Sequence, residues 1–173
     1  MIILEGGDGT GKTSAAKLLS EKFNLRVVHS PGYIENFFIA SLNYHLMFPR
    51  EVIVYDRFYY SELVYGPIIR GESRVPEWFG FYVEEMLKKV KPLFIWCDVP
   101  NQVAAQNIAS YDQMKGVSEN INEILAGYRN LVASPTTISP MWFKWAMKHD
   151  YTKRPLDLRA ISHWVDNRIN GLG

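Results

Sequence analysis

Glu5-Gly6-Gly7-Asp8-Gly9-Thr10-Gly11-Lys12-Thr13 decides the reading of this chain, because it matches the phosphate-binding pattern GxxxxGK[ST] in full. Four glycines in nine residues leave the backbone free to take positive φ and to turn its N–H groups into a concave nest for phosphate oxygens. Lys12 has the reach for β- and γ-phosphates, and Thr13 places a hydroxyl where Mg²⁺ would be ligated. A helix opening at this point turns its positive end toward the anion. The flanks agree. Residues 1–4 are an apolar run, and Ala15, Leu18, Leu19 and Phe23 recur at helical spacing, so the order is strand, glycine loop, helix. The stretch implies a nucleoside-triphosphate site formed by Gly6, Gly7, Asp8, Gly9, Thr10, Gly11, Lys12 and Thr13, with ATP and Mg²⁺ as the expected cofactors.

Working outward, 173 residues with 47% hydrophobic and 21% charged content fit one globular domain, residues 1–173, with a sizeable core. No apolar run approaches the roughly 18 residues of a membrane span, and no basic head precedes the first strand, so a cytoplasmic protein without a membrane partner is expected, in a host cytoplasm if the source is viral. Cys97, the one cysteine, sits among apolar neighbours and reads as a buried core thiol. The net charge of +1 conceals a basic tail, in which Lys144, Lys148, Lys153, Arg154, Arg159 and Arg168 outnumber Asp150, Asp157 and Asp166.

Strands are expected at 25–29, 51–55 and 93–99, the last two continuous hydrophobic runs of the kind found in a parallel sheet covered on both faces. Residues 136–138 are a candidate fifth strand, while 140–155 has no clear assignment. Helices are expected over 34–47, apolar nearly all round and so largely buried; from Pro76 to Pro92, with Phe79, Val83, Met86 and Leu87 on one face; over 101 to about 110; from Ile121 to Val132; and around Leu158, Ile161 and Val165. Strands alternating with helices predict an α/β, three-layer P-loop NTPase fold: a parallel sheet of about five strands with helices on both faces and ligands at the strand carboxyl ends. Residues 111–118, polar and containing Gly116, are the expected lid over ATP.

The strand at 51–55 runs into Asp56-Arg57, followed by Ser61, Tyr65 and Gly66. A carboxylate ending a hydrophobic strand in such a fold suits the Mg²⁺ shell or the proton of an attacking hydroxyl. An adjacent arginine suits a phosphate, which its planar fork matches bidentately. Lys12, Asp56 and Arg57 are therefore candidate catalytic residues, and Thr13 and Asp56 the metal ligands; Asp8 joins the catalytic candidates through a family resemblance.

Glu5-Gly6-Gly7-Asp8 before Gly11-Lys12-Thr13, then Asp56-Arg57 with Ser61 and Tyr65-Gly66, resembles the thymidylate kinase family. Residues 92–100 are similar to that family's fourth strand and Gly127-Tyr128 to the helix after its lid. The resemblance implies that Asp8 contacts the acceptor nucleotide and that Asp56 and Arg57 contact phosphates and metal, in an enzyme converting dTMP to dTDP. Two departures stand beside it. The family's Arg-Glu-Pro-Gly after the second strand is here His29-Ser30-Pro31-Gly32, and the next helix carries no arginine, leaving Asn43 and His45 as its best-placed polar side chains. No lid or loop arginine is present either; the lid offers Lys115, and Arg70 and Arg74 are the remaining cations. His29, Arg57, Tyr65, Arg70 and Arg74, with Asp8, are the candidate acceptor-binding residues.

Loss of the monophosphate grip fits an acceptor that presents a hydroxyl, as in the family's viral branches that phosphorylate the hydroxymethyl group of 5-hydroxymethyluracil in DNA. Trp142, Phe143, Trp145, Tyr151 and Trp164, interleaved with the tail's cations, suit a nucleic-acid backbone or an ordinary core equally well. The expected partner is a small pyrimidine nucleotide or modified DNA, and monomer against homodimer is open. A nucleotide-binding switch protein is the lower alternative, since a guanine-binding Asn-Lys-x-Asp is missing.

Overall fold

The structure is a computed structural model and describes residues 1–109, 114–134 and 146–171. Its centre is a five-stranded, wholly parallel sheet in the order β2-β3-β1-β4-β5, formed by β1 (Ile2–Glu5), β2 (Arg26–His29), β3 (Ile53–Asp56), β4 (Leu93–Cys97) and β5 (Ala146–His149). Around it lie α1 (Lys12–Phe23), α2 (Glu35–Met47), α3 (Tyr60–Tyr65) with a π-helical turn at Gly66–Arg70, α4 (Glu77–Val90), α5 (Asn101–Ile108), α6 (Ile121–Ala133) and α7 (Leu158–Ile169). No described helix is long and apolar enough to cross a membrane.

Side chains alternate across a strand, and the central strands divide accordingly. Ile3, Ile53, Tyr55, Phe94 and Trp96 face one way, into an aromatic cluster with Phe38, Phe58, Tyr59, Tyr60, Phe79, Val83 and Leu87 from α2, α3, α4 and the loop before α3. Ile2, Leu4, Val54, Leu93, Ile95 and Cys97 face the other, against Ala15, Ala16 and Leu19 of α1 and Ile161, Trp164 and Val165 of α7. Both faces are covered, which explains the hydrophobic continuity of β1, β3 and β4. Cys97 is the expected core thiol, its pKa pushed up to about 12 by burial.

Three expectations differ from the structure. α2 buries one face only, Phe38, Ser41, Leu42 and His45; Leu46, Met47 and the following Phe48 are open to solvent. The described fifth strand is Ala146–His149, inside the stretch without an assignment, and the candidate at 136–138 lies outside the described residues, as do Trp142, Phe143, Lys144 and Trp145. α3 and its π-helical continuation were not expected at all; they carry Tyr65 and Arg70.

Candidate functional site

A cleft of about 1000 Å³ lies at the carboxyl ends of the strands, bounded by the glycine loop, the start of α1, His29, Asp56, Arg57, α5 and the turn after β5. The sheet order sends the chain from β1 to one side and from β3 across β1 to the other, so the crevice falls at the switch point of the topology. α1 has no side-chain cap and no acidic residue in its first turn, leaving its first N–H groups and positive dipole end available to an anion. Gly9 at φ +73° could carry no side chain, because a Cβ would stand 2.4 Å from the Ala104 carbonyl of α5. Lys12 is buried and donates to the Gly7 carbonyl at 2.6 Å; burial, with Arg57 nearby, holds its pKa down at about 8.

Asp56 closes β3 opposite His29 at the end of β2, as the strand register dictates. Its Oδ2 lies 3.4 Å from the Thr13 hydroxyl and 3.3 Å from His29 Nδ1. Its Oδ1 is buried and has no hydrogen-bond partner among the described residues. An orphaned carboxylate oxygen beside a threonine hydroxyl and an anion-binding helix end fits the small protein share of a Mg²⁺ shell, the remainder being phosphate and water. Among the described residues there is no cluster of three or more His, Cys, Asp or Glu that could hold a metal by itself.

Arg57 takes φ +73°, a left-handed conformation costing a non-glycine residue on the order of 1–3 kcal/mol. The surroundings that impose it are explicit. Its N–H donates to the Leu4 carbonyl at 3.0 Å. Its Nη1 reaches the Gly6 carbonyl at 3.2 Å, Ser61 Oγ at 3.2 Å and Tyr128 OH at 3.3 Å, and its Nη2 reaches Asp8 Oδ1 and, at 3.1 Å, Tyr65 OH. Asp8 Oδ2 accepts from Tyr65 OH at 2.8 Å. Burial would raise the Asp8 pKa, but Arg57 and Lys12 outweigh it and hold the carboxyl below its ordinary value. Beneath this layer the buried Glu5 accepts from Ser61 Oγ and the Phe58 N–H, both at 2.7 Å, and from Tyr128 OH at 3.1 Å; burial raises its pKa despite Arg57.

The structure thus gathers Asp8, Lys12, Thr13, His29, Asp56 and Arg57 in one cleft wall, and Tyr65 stands behind them, hydrogen-bonded to Asp8 and Arg57. The Arg57 fork, expected on a phosphate, is engaged by Asp8 and Tyr65. Arg70 and Arg74 are not in the cleft wall: the Arg70 guanidinium pairs with Glu62, and the Arg74 N–H donates to the same carboxylate at 2.9 Å. His45 is buried in the core against Tyr55, without a hydrogen-bond partner among the described residues, and Asn43 is exposed on α2. In the tail, Trp164 is core, Arg168 donates to the Val90 carbonyl, Lys148 pairs with Asp98 over the Trp96 ring and Lys153 pairs with Asp150. Of the expected lid, 111–113 lies outside the described residues, and 114–118 is a hydrogen-bonded turn whose Val117 is buried among Val64, Tyr65, Ile124 and Tyr128. Asn107, in the cleft wall, carried no motif that would have singled it out; Tyr151, also in the wall, was named only among the tail's aromatics.

No protein-family model matches the chain, and no curated protein sequence does. Solved structures match over nearly its whole length. The YorR protein of Bacillus subtilis, in complex with phosphorylated GDP, aligns over 96% of this chain and 95% of its own at 22% identity and a TM-score of 0.68. Deoxyadenosine kinase from M. mycoides with bound dCTP aligns over 99% and 100% at 15% identity and 0.57, and the same enzyme with dCMP and dCDP over 99% of each chain at 15% and 0.55. At these identities the likeness shows the fold alone: the chain shares with these proteins an α/β architecture built on a five-stranded parallel sheet.

Proposed function

We propose that the chain is an ATP- and Mg²⁺-dependent phosphotransferase acting on a pyrimidine deoxynucleoside-type acceptor that presents a hydroxyl. The observation that carries the reading is the convergence of Lys12, Thr13 and the unpartnered Asp56 Oδ1 at one helix start. Lys12 neutralises the β- and γ-phosphates, while Thr13 and Asp56 hold Mg²⁺, which supplies further charge neutralisation at the transferring group. Asp8, kept ionised, uses its remaining lone pairs to accept the hydrogen of the attacking hydroxyl and so aims that oxygen at the γ-phosphorus. Catalysis on this scheme is positioning plus electrostatics. Residues 111–118 act as the lid.

The engaged Arg57 favours a neutral hydroxyl over a phosphate dianion, which would need charge-assisted partners of its own. Two such acceptors suit the site, a free deoxynucleoside and 5-hydroxymethyluracil in DNA. A second reading, dTMP, is favoured by the match of Asp8, the Asp56-Arg57 pair and Tyr65 to thymidylate kinases, and it requires Arg57 to exchange Asp8 for the acceptor phosphate.

Incubation with γ-labelled ATP and thymidine, dTMP or duplex DNA containing 5-hydroxymethyluracil separates these. Label in thymidine or in the DNA is the expected result. Label in dTMP alone would overturn the hydroxyl reading, and ATP binding without transfer to any acceptor would favour the switch. Lys12→Ala should lower transfer at least about 10²- to 10³-fold with the unfolding midpoint unchanged; transfer near the wild-type rate would remove Lys12 from the mechanism.

A further inference from the structure

We infer that Asn107 and Tyr151 form a latch that sets the curvature of the phosphate loop, and that they are positioning residues for the donor polyphosphate; the inference rests on the ATP-site reading above. The Asn107 side-chain amide, on α5, donates to the Gly9 carbonyl at 2.7 Å and to Tyr151 OH at 2.6 Å. The Tyr151 ring in turn lies on Gly11, where a Cβ would stand 2.8 Å from Cδ1. One amide therefore ties together three segments that are distant in sequence: the loop, the helix after β4 and the turn after β5.

The geometry has a direct consequence for the loop. All described peptide bonds are trans, so the Gly9 carbonyl and the Thr10 N–H point in opposite directions across one plane. Pinning that carbonyl to α5 aims the Thr10 N–H away from α5. With Gly9 at φ +73° and Gly11 at φ +86°, nothing in the residues themselves would hold the plane in one orientation, since glycine takes either sign of φ readily. Inside the loop the Thr10 hydroxyl donates to the Gly7 carbonyl at 2.8 Å, and the remaining constraint comes from outside. Asn107 supplies it at Gly9, and the Tyr151 ring supplies it at Gly11.

Tyr151 is itself well anchored. Asp98 N–H donates to the His149 carbonyl at 3.0 Å, joining the end of β5 to β4. Asp150 Oδ1 accepts from the Thr152 N–H at 3.1 Å and the Thr152 hydroxyl at 2.6 Å, and the Asp150 carbonyl accepts from the Lys153 and Arg154 N–H groups at 3.1 and 3.2 Å. The tyrosine thus stands on a hydrogen-bonded turn, the residue 41% exposed at the cleft, where its hydroxyl can be altered without opening the core.

The test is calorimetric binding of Mg²⁺–ATP and of inorganic tripolyphosphate, which has phosphates but no base, to wild type, Asn107→Ala, Tyr151→Phe, Tyr151→Ala and the Asn107→Ala/Tyr151→Phe double variant, with thermal unfolding as the fold control. A latch predicts that Asn107→Ala and Tyr151→Phe each weaken tripolyphosphate about five- to tenfold, the size of one hydrogen bond. The double variant should be no weaker than the worse single, because the two residues act as one unit. In turnover, KM for ATP should rise by the same factor with kcat little changed. Should Asn107→Ala unfold, Tyr151→Phe alone carries the prediction. If only Tyr151→Ala weakens ATP and tripolyphosphate is unaffected by every variant, the ring is a base contact and the latch is wrong. Wild type binding both ligands with all variants unchanged overturns the latch alone, whereas wild type binding neither overturns the ATP-site reading and the latch with it.

Discussion

Two acids of this molecule, the half-buried Asp8 in the cleft and the buried Glu84 on α4, both accept hydrogen bonds from tyrosines, yet they respond oppositely. Asp8 accepts from Tyr65 and is held below the ordinary carboxylate value, because Arg57 and Lys12 stand beside it. Glu84 is 3% exposed and accepts from Tyr59 and, at 2.7 Å, from Tyr60. With no arginine at hand, burial prevails and its pKa rises to about 7. Tyrosine hydrogen bonds lower a carboxyl's pKa but do not offset the full burial of Glu84, whereas Arg57 and Lys12 beside Asp8 outweigh its desolvation. The cleft is the region where the fold supplies such a cation, at the cost of a strained Arg57 backbone.

The largest effect should follow from taking the cation away. Arg57→Ala leaves the half-buried Asp8 with Lys12 as its remaining cation and takes one donor from the hydroxyls of Ser61, Tyr65 and Tyr128, which keep Glu5 or Asp8 as partners, so a loss of about 3 kcal/mol in denaturant unfolding is expected. The Asp8 carboxyl should then titrate higher than in wild type in a carboxyl NMR titration. An unchanged Asp8 would mean that Lys12 alone sets its charge.

Glu84 offers the opposite manipulation. Its folded pKa of about 7 lies above the ordinary 4.5, so the native state binds more protons than the unfolded chain between these values. The stability this contributes is complete below about pH 4.5 and is lost as pH rises through about 7, a change of about 3 kcal/mol at about 1.4 kcal/mol per pH unit. Glu84→Gln, which stays neutral, should flatten this part of the pH–stability curve and exceed wild type at pH 8. A parallel pair of curves would show that Glu84 is compensated after all.

The same contrast explains what could be read from the sequence. The glycine loop and the central strands were legible because their patterns are local: nine consecutive residues, and apolar runs buried on both faces. β5 was not, since Ala146-Met147-Lys148-His149 lacks β-branched residues and lies at the sheet edge. The one-sided burial of α2 was hidden by its apolar composition all round. Asp56 and Arg57 could be named, but not the engagement of Arg57, whose partners lie as far away as Tyr128. The pairing of Asn107 with Tyr151 was hidden for the same reason, the two being joined across 44 positions.

The smallest effect separates hydrogen bonding from packing at Tyr65, the residue linking the compensated acid to the segment 114–118. Its hydroxyl donates to Asp8 Oδ2 and receives the Asp8 N–H and Arg57, while its ring packs with Val64, Val117, Ile124 and Tyr128. Tyr65→Phe keeps the ring and removes the hydroxyl, so about 1 kcal/mol should be lost, because Asp8 and Arg57 retain each other. Amide exchange at Val117 should stay as in wild type, since the apolar cluster is intact. Val117→Ala should do the reverse, speeding exchange over 114–120 while leaving the Asp8 titration unmoved. If Tyr65→Phe instead loosens 114–120, the cleft acid and the expected lid are coupled through that hydroxyl, and the charge state of Asp8 becomes part of how the segment closes.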